Sequence, residues 1–238
     1  MDGNGRWAKE KRLPRIAGHR EGIERVKEIT RAAADLGMEA VTLFAFSSEN
    51  WGRPKKEVDM LMRYLEDFLV REVAELHKEN IRFRVIGRDE PLPKGIQKKI
   101  RDAQEKTRGN TGLTMVLALN YGARQEITDA AARFAACVLR GEAKPQDLDE
   151  DKFAGYFYAP DIADPDLLIR TSGEIRLSNF LLWQLSYAEF YFTDKYWPDF
   201  RRKDFEEAIE EYRKRQRRFG NMGWRSSWAS CSIPRWRP

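Results

Sequence analysis

At 238 residues, with 42% hydrophobic and 12% aromatic side chains, the chain is large enough for one substantial core, and wholesale disorder is excluded. Its 43 Lys and Arg residues outnumber its 38 Asp and Glu residues, and the net charge of +5 favours anionic partners, whether nucleic acid, a phospholipid surface or phosphorylated metabolites. No apolar run approaches the ~20 residues of a membrane-spanning helix, and Cys137 and Cys231 are too isolated for a disulfide framework or a zinc site, so a single domain in a reducing cytoplasm is expected.

Helix and strand patterns alternate along the chain. Apolar residues recur at helical spacing over 21–36, 57–80, 94–107 and 125–139, and a further helix covers the acidic stretch 204–211 and leads into the basic run 213–218. Apolar or alternating runs predict strands over 40–46, 81–86, 113–119 and 167–169. This alternation predicts an α/β fold with one domain, a mainly parallel central sheet and helices on both faces.

Polar segments follow three of the predicted strands directly. Residues 47–51 follow the first strand, residues 120–122 follow the third, and Arg170 follows the last. In an open α/β sheet, ligands bind beyond the carboxyl ends of the strands. The three segments therefore predict one binding site at one edge of the sheet.

The segment after the last predicted strand carries two arginines, Arg170 and Arg176, with a glycine-containing turn between them. Two guanidinium groups can hold one anion through paired hydrogen bonds in a way that lysines cannot, and the turn brings backbone N–H groups to the surface. This pattern predicts a diphosphate site. The alternative is an ordinary strand end with surface arginines.

The opening segment, residues 2–8, places Gly3 and Gly5 where the backbone can approach an anion, with Asp2 beside them. A carboxylate next to a phosphate site suits Mg²⁺, which commonly bridges a carboxylate and a substrate diphosphate; the alternative for Asp2 is a frayed terminal residue. The same letters match the dinucleotide-binding pattern G-x-G-x-x-A. The strand and the later acidic residue that this pattern requires are absent from the sequence, so a dinucleotide site is disfavoured.

Four segments in order resemble the cis-prenyltransferase family, and within it the bacterial undecaprenyl diphosphate synthases. They are DGNGRWA (2–8), GHR (18–20), FSSENWGR (46–53) and RTSGEIRLSNFLLWQ (170–184), and the resemblance extends over residues 2–220. It implies Mg²⁺-dependent, sequential cis-condensation of isopentenyl diphosphate onto an allylic diphosphate, farnesyl diphosphate. The implied product is a long-chain polyprenyl diphosphate such as undecaprenyl diphosphate, the precursor of the lipid carrier used in cell-wall and peptidoglycan synthesis.

The resemblance also implies roles for individual residues. Asp2 is expected to hold Mg²⁺ and assist catalysis, and Glu189 to be a second metal-site residue. The allylic diphosphate would bind to Gly3, Asn4, Gly5, Arg6, Trp7, Arg15 and His19, and isopentenyl diphosphate to Arg170, Arg176, Leu177 and Ser178. The reacting centre would be lined by Ser47, Ser48, Glu49, Asn50, Trp51 and Arg53.

Asn50 is the residue to which the family assigns loss of the proton after condensation. A neutral amide is a very weak base, so we expect Asn50 to orient a water molecule or a diphosphate oxygen rather than take the proton itself. The preceding ionisation leaves negative charge on the departing diphosphate, which arginines, backbone amides and Mg²⁺ stabilise. Asn50 and Asp2 are therefore the expected catalytic residues.

Two apolar segments each have two interpretations. The helix over 58–76 either packs a core or lines an apolar tunnel for the growing prenyl chain, in which each buried CH₂ group contributes ~0.8 kcal/mol. The aromatic run 190–192 with Trp197 either packs inside the protein or, as the resemblance implies, forms part of a homodimer face. Transient contact with a membrane surface would serve product release.

Three features depart from the family pattern. The apolar strand that precedes the aspartate loop in the family is missing from the sequence as given, and we expect this form to fold poorly or turn over slowly until upstream residues are restored. Ala123 stands where the family usually has a second glycine, which makes close backbone approach less expected there. The domain is expected over residues 1–220, and the tail 221–238 follows no period and is expected to be disordered or a frameshifted end.

Two other functions fit parts of the sequence. A catalytically silent prenyltransferase partner subunit would keep the fold and lose the metal loop, whereas this chain retains Asp2, Asn50, Arg170, Arg176 and Glu189 together. A basic nucleic-acid-binding protein would use the cations and the seven tryptophans, but the sequence contains no recognised nucleic-acid-binding motif. An enzyme without a nucleic-acid partner is therefore expected.

Overall fold

The computed structural model describes residues 1–216, which fold around two sets of parallel strands. The strands are β1 (Ala40–Ser47), β2 (Arg82–Ile86), β3 (Thr114–Tyr121), β4 (Leu167–Arg170) and β5 (Glu189–Phe192). The helices are α1 (Asn4–Glu10), α2 (Arg15–Asp35), α3 (Lys55–Arg71), α4 (Val73–Lys78), α5 (Lys94–Thr107), α6 (Ala123–Leu139), α7 (Glu150–Ala154) and α8 (Arg202–Arg213). Short 3-10 helices cover Ser48–Gly52, Pro145–Asp147 and Trp197–Asp199.

β3 is the central strand of the larger sheet. Both β1 and β2 pair with it in parallel, and nearly all its residues are buried, as expected for a strand covered on both faces. Met115 and Leu117 belong to one core cluster, whereas Val116 and Ala118 between them belong to the other. Because successive side chains of a strand point to opposite faces, β3 separates the two halves of the core.

β4 and β5 form a separate parallel pair, in which Leu167 lies opposite Glu189 and Arg170 opposite Phe192. The structure confirms the predicted α/β class with parallel strands and flanking helices. The expected single sheet is instead divided into two ladders, because β1 pairs with β3, β4 pairs with β5, and no strand among residues 1–216 joins β1 to β4.

The predicted helices match the structure best where the apolar period is regular. The predicted helix over 94–107 is α5, with the same bounds. α2 begins earlier than residue 21, at Arg15, directly after the N-cap residue Pro14. The predicted helix over 57–80 is two helices, α3 and α4, divided at Glu72.

One face of α3 packs against the core. Val58, Met62 and Leu65 are buried there, so the packing interpretation of this helix is confirmed, and an apolar tunnel stays a prediction. An open groove of about 400 Å³ runs along the outer side of α3. Its lining is mixed in character: Ile16, Lys56, Asp59, Met60, Arg63, Tyr64 and Asp67.

Trp197 also belongs to the core, so the packing interpretation is the one confirmed for this residue. Its side chain is 5% exposed, and its indole N–H donates to the carbonyl oxygen of Gly22 on α2 at 2.8 Å. In the part of the chain that the structure describes, no helix combines the length and the apolar character that crossing a membrane requires. The predicted tail 221–238 and the end of the basic run lie outside the described residues.

Candidate active site

Asp2 lies at the carboxyl end of β4. Its Oδ2 is 3.3 Å from Nη2 of Arg170, the last residue of β4, although 168 positions separate the two residues in the chain. The hydroxyl of Thr171 lies 3.2 Å from both the amide nitrogen and the carbonyl oxygen of Asp2. Trp197 N donates to the same carbonyl oxygen at 3.0 Å. The aspartate is therefore anchored and not frayed.

The carboxylate of Asp2 is ionised and accessible. Burial raises its pKa. The hydrogen bond from Gly3 N at 2.7 Å and the neighbouring Arg170 together lower the pKa by more than burial raises it, so the pKa lies below the ordinary value of 3.8. The side chain is 40% exposed. An ionised, accessible carboxylate fits Mg²⁺, which takes carboxylate and phosphate oxygens as ligands, and Arg6 and Arg170 lie beside it.

Gly3 forms the turn that leads from Asp2 into α1. Its φ is +93°, and a Cβ at this position would collide with the hydroxyl of Ser172 and the ring of Tyr196. Glycine is therefore required here, both for the left-handed backbone and for the close approach to the segments after β4 and β5.

Asn4 and Gly5 of the opening segment lie against α2. A Cβ on Gly5 would lie 3.0 Å from Nε of Arg15, and the amide of Asn4 packs against Gly22. Trp7 is 9% exposed. Asn4 thus lies between α1 and α2, Trp7 is buried, and the role of both residues in substrate binding stays a prediction.

Arg6 points from α1 toward the turn after β4. Its Nη1 lies 3.3 Å from the carbonyl oxygen of Ser172 and 3.0 Å from Oε1 of Glu174, and its Nη2 lies 3.7 Å from Asp2. Arg176 pairs with the same Glu174 carboxylate. Guanidinium groups from two distant segments therefore converge on one anion, and the sequence prediction assigned no role to that glutamate.

Arg170 joins the other predicted diphosphate ligands. Its side chain is only 14% exposed, and its Nη1 donates to the carbonyl oxygen of Arg176 and to Oγ of Ser178, the latter at 3.0 Å. Leu177 between them is half-buried and packs against the second core cluster. The structure thus brings the two arginines and the serine together and turns Leu177 toward the core.

A second basic cluster lies where α2 and α3 begin. Arg15 and Arg53 both pair with Glu57, at 3.3 and 3.1 Å. Burial, together with Arg53 and Arg15, lowers the pKa of His19 below its ordinary value of 6.5 despite the nearby Glu57, so the imidazole is neutral at pH 7. His19 Nε2 is buried and has no hydrogen-bond partner among residues 1–216. The sequence prediction missed Glu57, the shared partner of this cluster.

The loop after β1 is stabilised by its own polar groups. Ser47 N donates to Oδ1 of Asn50 at 3.1 Å, Glu49 N donates to Ser47 Oγ at 3.2 Å, and the Ser48 hydroxyl donates to Glu49 Oε2 at 3.2 Å. Because Oδ1 of Asn50 already accepts a backbone hydrogen bond, its NH₂ group is the part left to meet a substrate. This geometry favours an orienting role for Asn50 over proton abstraction.

Two asparagines tie this loop to other segments. Asn179 Nδ2 donates to Glu49 Oε1 at 2.8 Å, and Trp51 Nε1 donates to Asn120 Oδ1 at 2.8 Å. Burial raises the pKa of Glu49. Hydrogen bonds from Ser47 and Asn179 lower the pKa by more than burial raises it, so it lies below the ordinary value of 4.5. Glu49 is therefore ionised at neutral pH.

A series of contacts joins the two sides of the site. Asp2 contacts Arg170, Arg170 contacts Ser178, and the next residue, Asn179, contacts Glu49 in the loop after β1. The carboxyl ends of β1 and β4 therefore meet at one edge of the molecule. We call this edge the rim, defined by residues 2–6, 47–53 and 170–179.

Gly122, and not Ala123, is the position of close backbone approach after β3. A Cβ on Gly122 would lie 2.6 Å from Nδ2 of Asn179. Ala123 is 1% exposed, and its amide donates to the carbonyl oxygen of Asn179 at 2.8 Å. Alanine at position 123 therefore leaves the hydrogen bond from its amide to Asn179 intact.

Glu189 does not reach the rim within this chain. It begins β5 opposite Leu167, at the end of the pair away from Arg170, and its carboxylate lies 3.0 Å from Arg215. Residues 1–216 contain no group of three or more His, Cys, Asp or Glu side chains placed to hold a metal ion. The role of Glu189 at a metal site stays a prediction.

This chain is similar to known proteins along nearly its whole length. A family model described as putative undecaprenyl diphosphate synthase matches residues 1–220. An isoprenyl transferase of Geobacillus kaustophilus is 53% identical over 222 residues, which cover 93% of this chain and 86% of that protein. The ditrans,polycis-undecaprenyl-diphosphate synthase of Micrococcus luteus, described as (2E,6E)-farnesyl-diphosphate specific, is 50% identical over 222 residues, which cover 93% of this chain and 89% of that protein.

Two solved structures share the fold. Lavandulyl diphosphate synthase from Lavandula x intermedia, in complex with dimethylallyl diphosphate, superposes with a TM-score of 0.90 and 42% identity, covering 93% of this chain and 95% of that chain. A probable undecaprenyl diphosphate synthase from Campylobacter jejuni superposes with a TM-score of 0.75 and 35% identity, covering 84% and 92%.

Proposed function

Since this chain belongs to the undecaprenyl diphosphate synthase family and is a prenyl transferase, we propose that it condenses isopentenyl diphosphate onto farnesyl diphosphate in successive cis additions. The proposed product is a long-chain polyprenyl diphosphate such as undecaprenyl diphosphate, which serves as precursor of the lipid carrier for cell-wall peptidoglycan. The observation that carries this proposal is the 3.3 Å contact between Asp2 and Arg170, which places a carboxylate among the arginines of the rim.

Arg170, Arg176 and Ser178 are proposed to hold the diphosphate of isopentenyl diphosphate. Arg176 and Arg6 share the carboxylate of Glu174, so an incoming diphosphate would exchange with this internal anion. Guanidinium groups already aimed at one anion need little rearrangement to stabilise another.

The allylic diphosphate is proposed to bind between α1 and the second basic cluster. Arg15 and Arg53 supply positive charge there, while His19 stays neutral and can donate or accept one hydrogen bond. Because these groups are fixed before the bond to the departing diphosphate breaks, they stabilise the charge that develops in the transition state.

Asp2 is proposed to hold Mg²⁺ together with diphosphate oxygens. When bound, Mg²⁺ would neutralise charge on the departing diphosphate. The chain's own contribution is to keep the Asp2 carboxylate ionised and anchored, through Gly3 N and Thr171. Asn50, whose Oδ1 is bonded to Ser47 N, is proposed to use its NH₂ group to orient a diphosphate oxygen or a water molecule that receives the proton.

A homodimer, brief membrane contact and a cytoplasmic location complete the proposal. Phe190 and Phe192 are 38% and 36% exposed on one side of β5, which supports a dimer face there. Leu13 and Ile16, each 44% exposed in the basic segment that leads into α2, support contact with an anionic lipid surface during product release. Cys137 has no disulfide partner among residues 1–216, which supports a reducing compartment.

The test is incubation of the chain with farnesyl diphosphate, labelled isopentenyl diphosphate and Mg²⁺, followed by sizing of the labelled lipid. Extended polyprenyl diphosphate is expected, and its formation should stop with EDTA or in the Asp2→Ala variant. Asp102→Asn is the matched control, since Asp102 is an exposed carboxylate paired with Lys98 on α5. Absence of extended lipid from the unaltered protein would refute the proposal.

A further inference from the structure

The loop that carries Asn50 is bonded to one asparagine on each side of that residue. Asn179 bonds the residue before it, since its Nδ2 donates to Glu49 Oε1 at 2.8 Å. Asn120 bonds the residue after it, since its Oδ1 accepts from Trp51 Nε1 at 2.8 Å. Neither asparagine has a role in the function proposed above.

Asn179 connects three segments. Its Oδ1 accepts from Arg124 N at 2.9 Å and its carbonyl oxygen accepts from Ala123 N at 2.8 Å, which fixes it to the first turn of α6. Its φ is +62°, in the left-handed region that asparagine tolerates better than most residues. It also directly follows Ser178, so it connects the loop to the arginine side of the rim.

Asn120 is buried at the end of β3, with 3% of its surface exposed. Its Nδ2 donates to the carbonyl oxygens of Arg88 at 2.8 Å and Glu90 at 2.7 Å, while its Oδ1 accepts from Trp51. A buried amide whose donors and acceptor all have partners holds a single orientation. Asn120 therefore fixes the indole of Trp51 relative to the sheet.

We propose that Asn120 and Asn179 are positioning residues for prenyl transfer, which together fix the loop and with it the direction of the NH₂ group of Asn50. This inference rests on the proposed function. Because Asn50 Oδ1 is bonded to Ser47 N, the direction of its NH₂ group follows the main chain of the loop. A group that acts at reacting atoms must be held within about 0.5 Å of its working position, and two fixed neighbours supply that constraint.

The first test is Asn179→Asp. This change keeps the acceptor for Arg124 N but sets a second carboxylate against the ionised Glu49, which pushes the loop away. We expect kcat to fall by about 10–100-fold while KM for both diphosphates changes by less than about threefold. Unchanged kcat would overturn the proposal.

Asn80→Asp is the matched control. Asn80 also has a positive φ, +56°, and its amide also joins two segments, donating to Thr111 Oγ1 at 3.1 Å and accepting from Thr111 N at 3.0 Å. These contacts lie at the start of β2, away from the rim. This variant should keep the kcat of the unaltered protein, and an equal loss in both variants would overturn the proposal.

A compensating pair separates positioning from general damage. In the Asn179→Asp, Glu49→Gln double variant, the glutamine NH₂ group can donate to the new carboxylate, so the hydrogen bond reforms with donor and acceptor exchanged. We expect kcat of the double variant to be at least that of Glu49→Gln alone. Losses that multiply would overturn the proposal.

Amide hydrogen exchange over residues 47–53 tests the positioning without turnover. Exchange should be faster in Asn179→Asp and in Asn120→Asp than in the unaltered protein, and unchanged in Asn80→Asp. Product formation by the unaltered protein, with unchanged exchange and kcat in Asn179→Asp, would overturn this inference and leave the proposed function standing. Faster exchange in a protein that makes no product would refute the proposed function and still support the fixed loop.

Discussion

Arg170 contacts Asp2 at 3.3 Å through one terminal nitrogen and Ser178 at 3.0 Å through the other. A planar guanidinium can hold two partners in fixed directions, whereas the single ammonium group of a lysine cannot. Arg170 therefore determines the spacing between the carboxylate and the hydroxyl of the rim.

Arg170→Lys should raise KM for isopentenyl diphosphate by about 10–100-fold, because each charge-assisted hydrogen bond lost contributes ~1.5–3 kcal/mol. Steady-state kinetics with labelled isopentenyl diphosphate measures this change. Arg84→Lys is the control, since Arg84 also makes two hydrogen bonds, at 2.7 and 3.1 Å, but to Asp161 and away from the rim. The same KM in both variants would contradict the assigned role of Arg170.

The free energy of unfolding should fall as the pH drops below about 6.5, because the unfolded chain takes up a proton on His19 before the folded protein does. The pKa of His19 is lowered in the folded protein by burial, so the unfolded chain binds the proton more readily, and stability is lost as the pH drops from the unfolded pKa toward the folded one. Urea unfolding of the unaltered protein and His19→Gln between pH 8 and pH 5 measures this contribution. The stability of the unaltered protein relative to the variant should decline over that range, and a constant difference would show that His19 does not titrate as described.

Tyr121→Phe should destabilise the core by ~1.5–3 kcal/mol. The Tyr121 hydroxyl donates to Glu126 Oε2 at 2.6 Å, and Glu126 is only 2% exposed, so removal of the hydroxyl leaves a buried carboxylate with one donor fewer. Urea unfolding with an unchanged m-value would report the loss. Tyr64→Phe, in the groove outside α3, should change stability by no more than ~0.5 kcal/mol, and equal effects of the two changes would count against the buried network.

The sequence predicted those elements whose signal lies in a regular period. α5 shows this, because its apolar positions repeat at helical spacing over its whole length and its predicted bounds hold. α1 was not predicted, because it is only seven residues long and lacks an apolar repeat. β5 was not predicted as a strand, because its aromatic residues fit a surface face equally well.

The rim was predictable in outline, because ligands bind at the carboxyl ends of parallel strands. The sequence could not show which side chains lie within contact distance of one another. It did not show that Glu189 starts β5 at the far end from Arg170, or that Glu57 and Glu174 are the shared partners of the basic clusters. Asn120 and Asn179 carry a weak signal, since asparagine at the end of a strand or in a tight turn often adopts positive φ.

A double substitution of Phe190 and Phe192 to Glu should convert a dimer to a monomer. The two rings lie on one side of β5 with centroids 6.0 Å apart, and a charged face there could not be buried between two copies without a large desolvation cost. Analytical ultracentrifugation measures the change. Leu139→Glu, at an 88% exposed position at the end of α6, is the control, and an unaltered protein that sediments as a monomer would refute the dimer.

The rim is built from segments that lie far apart in the chain. The most direct test of this account is a double-mutant cycle across the contact between Asp2 and Arg170, which are 168 positions apart. The rate of incorporation of labelled isopentenyl diphosphate is measured for Asp2→Asn, Arg170→Gln and the double variant. If the two residues act as one unit, the double variant should be no slower than the slower single variant. Losses in kcat/KM that simply multiply would show that the two residues act independently and would contradict the account.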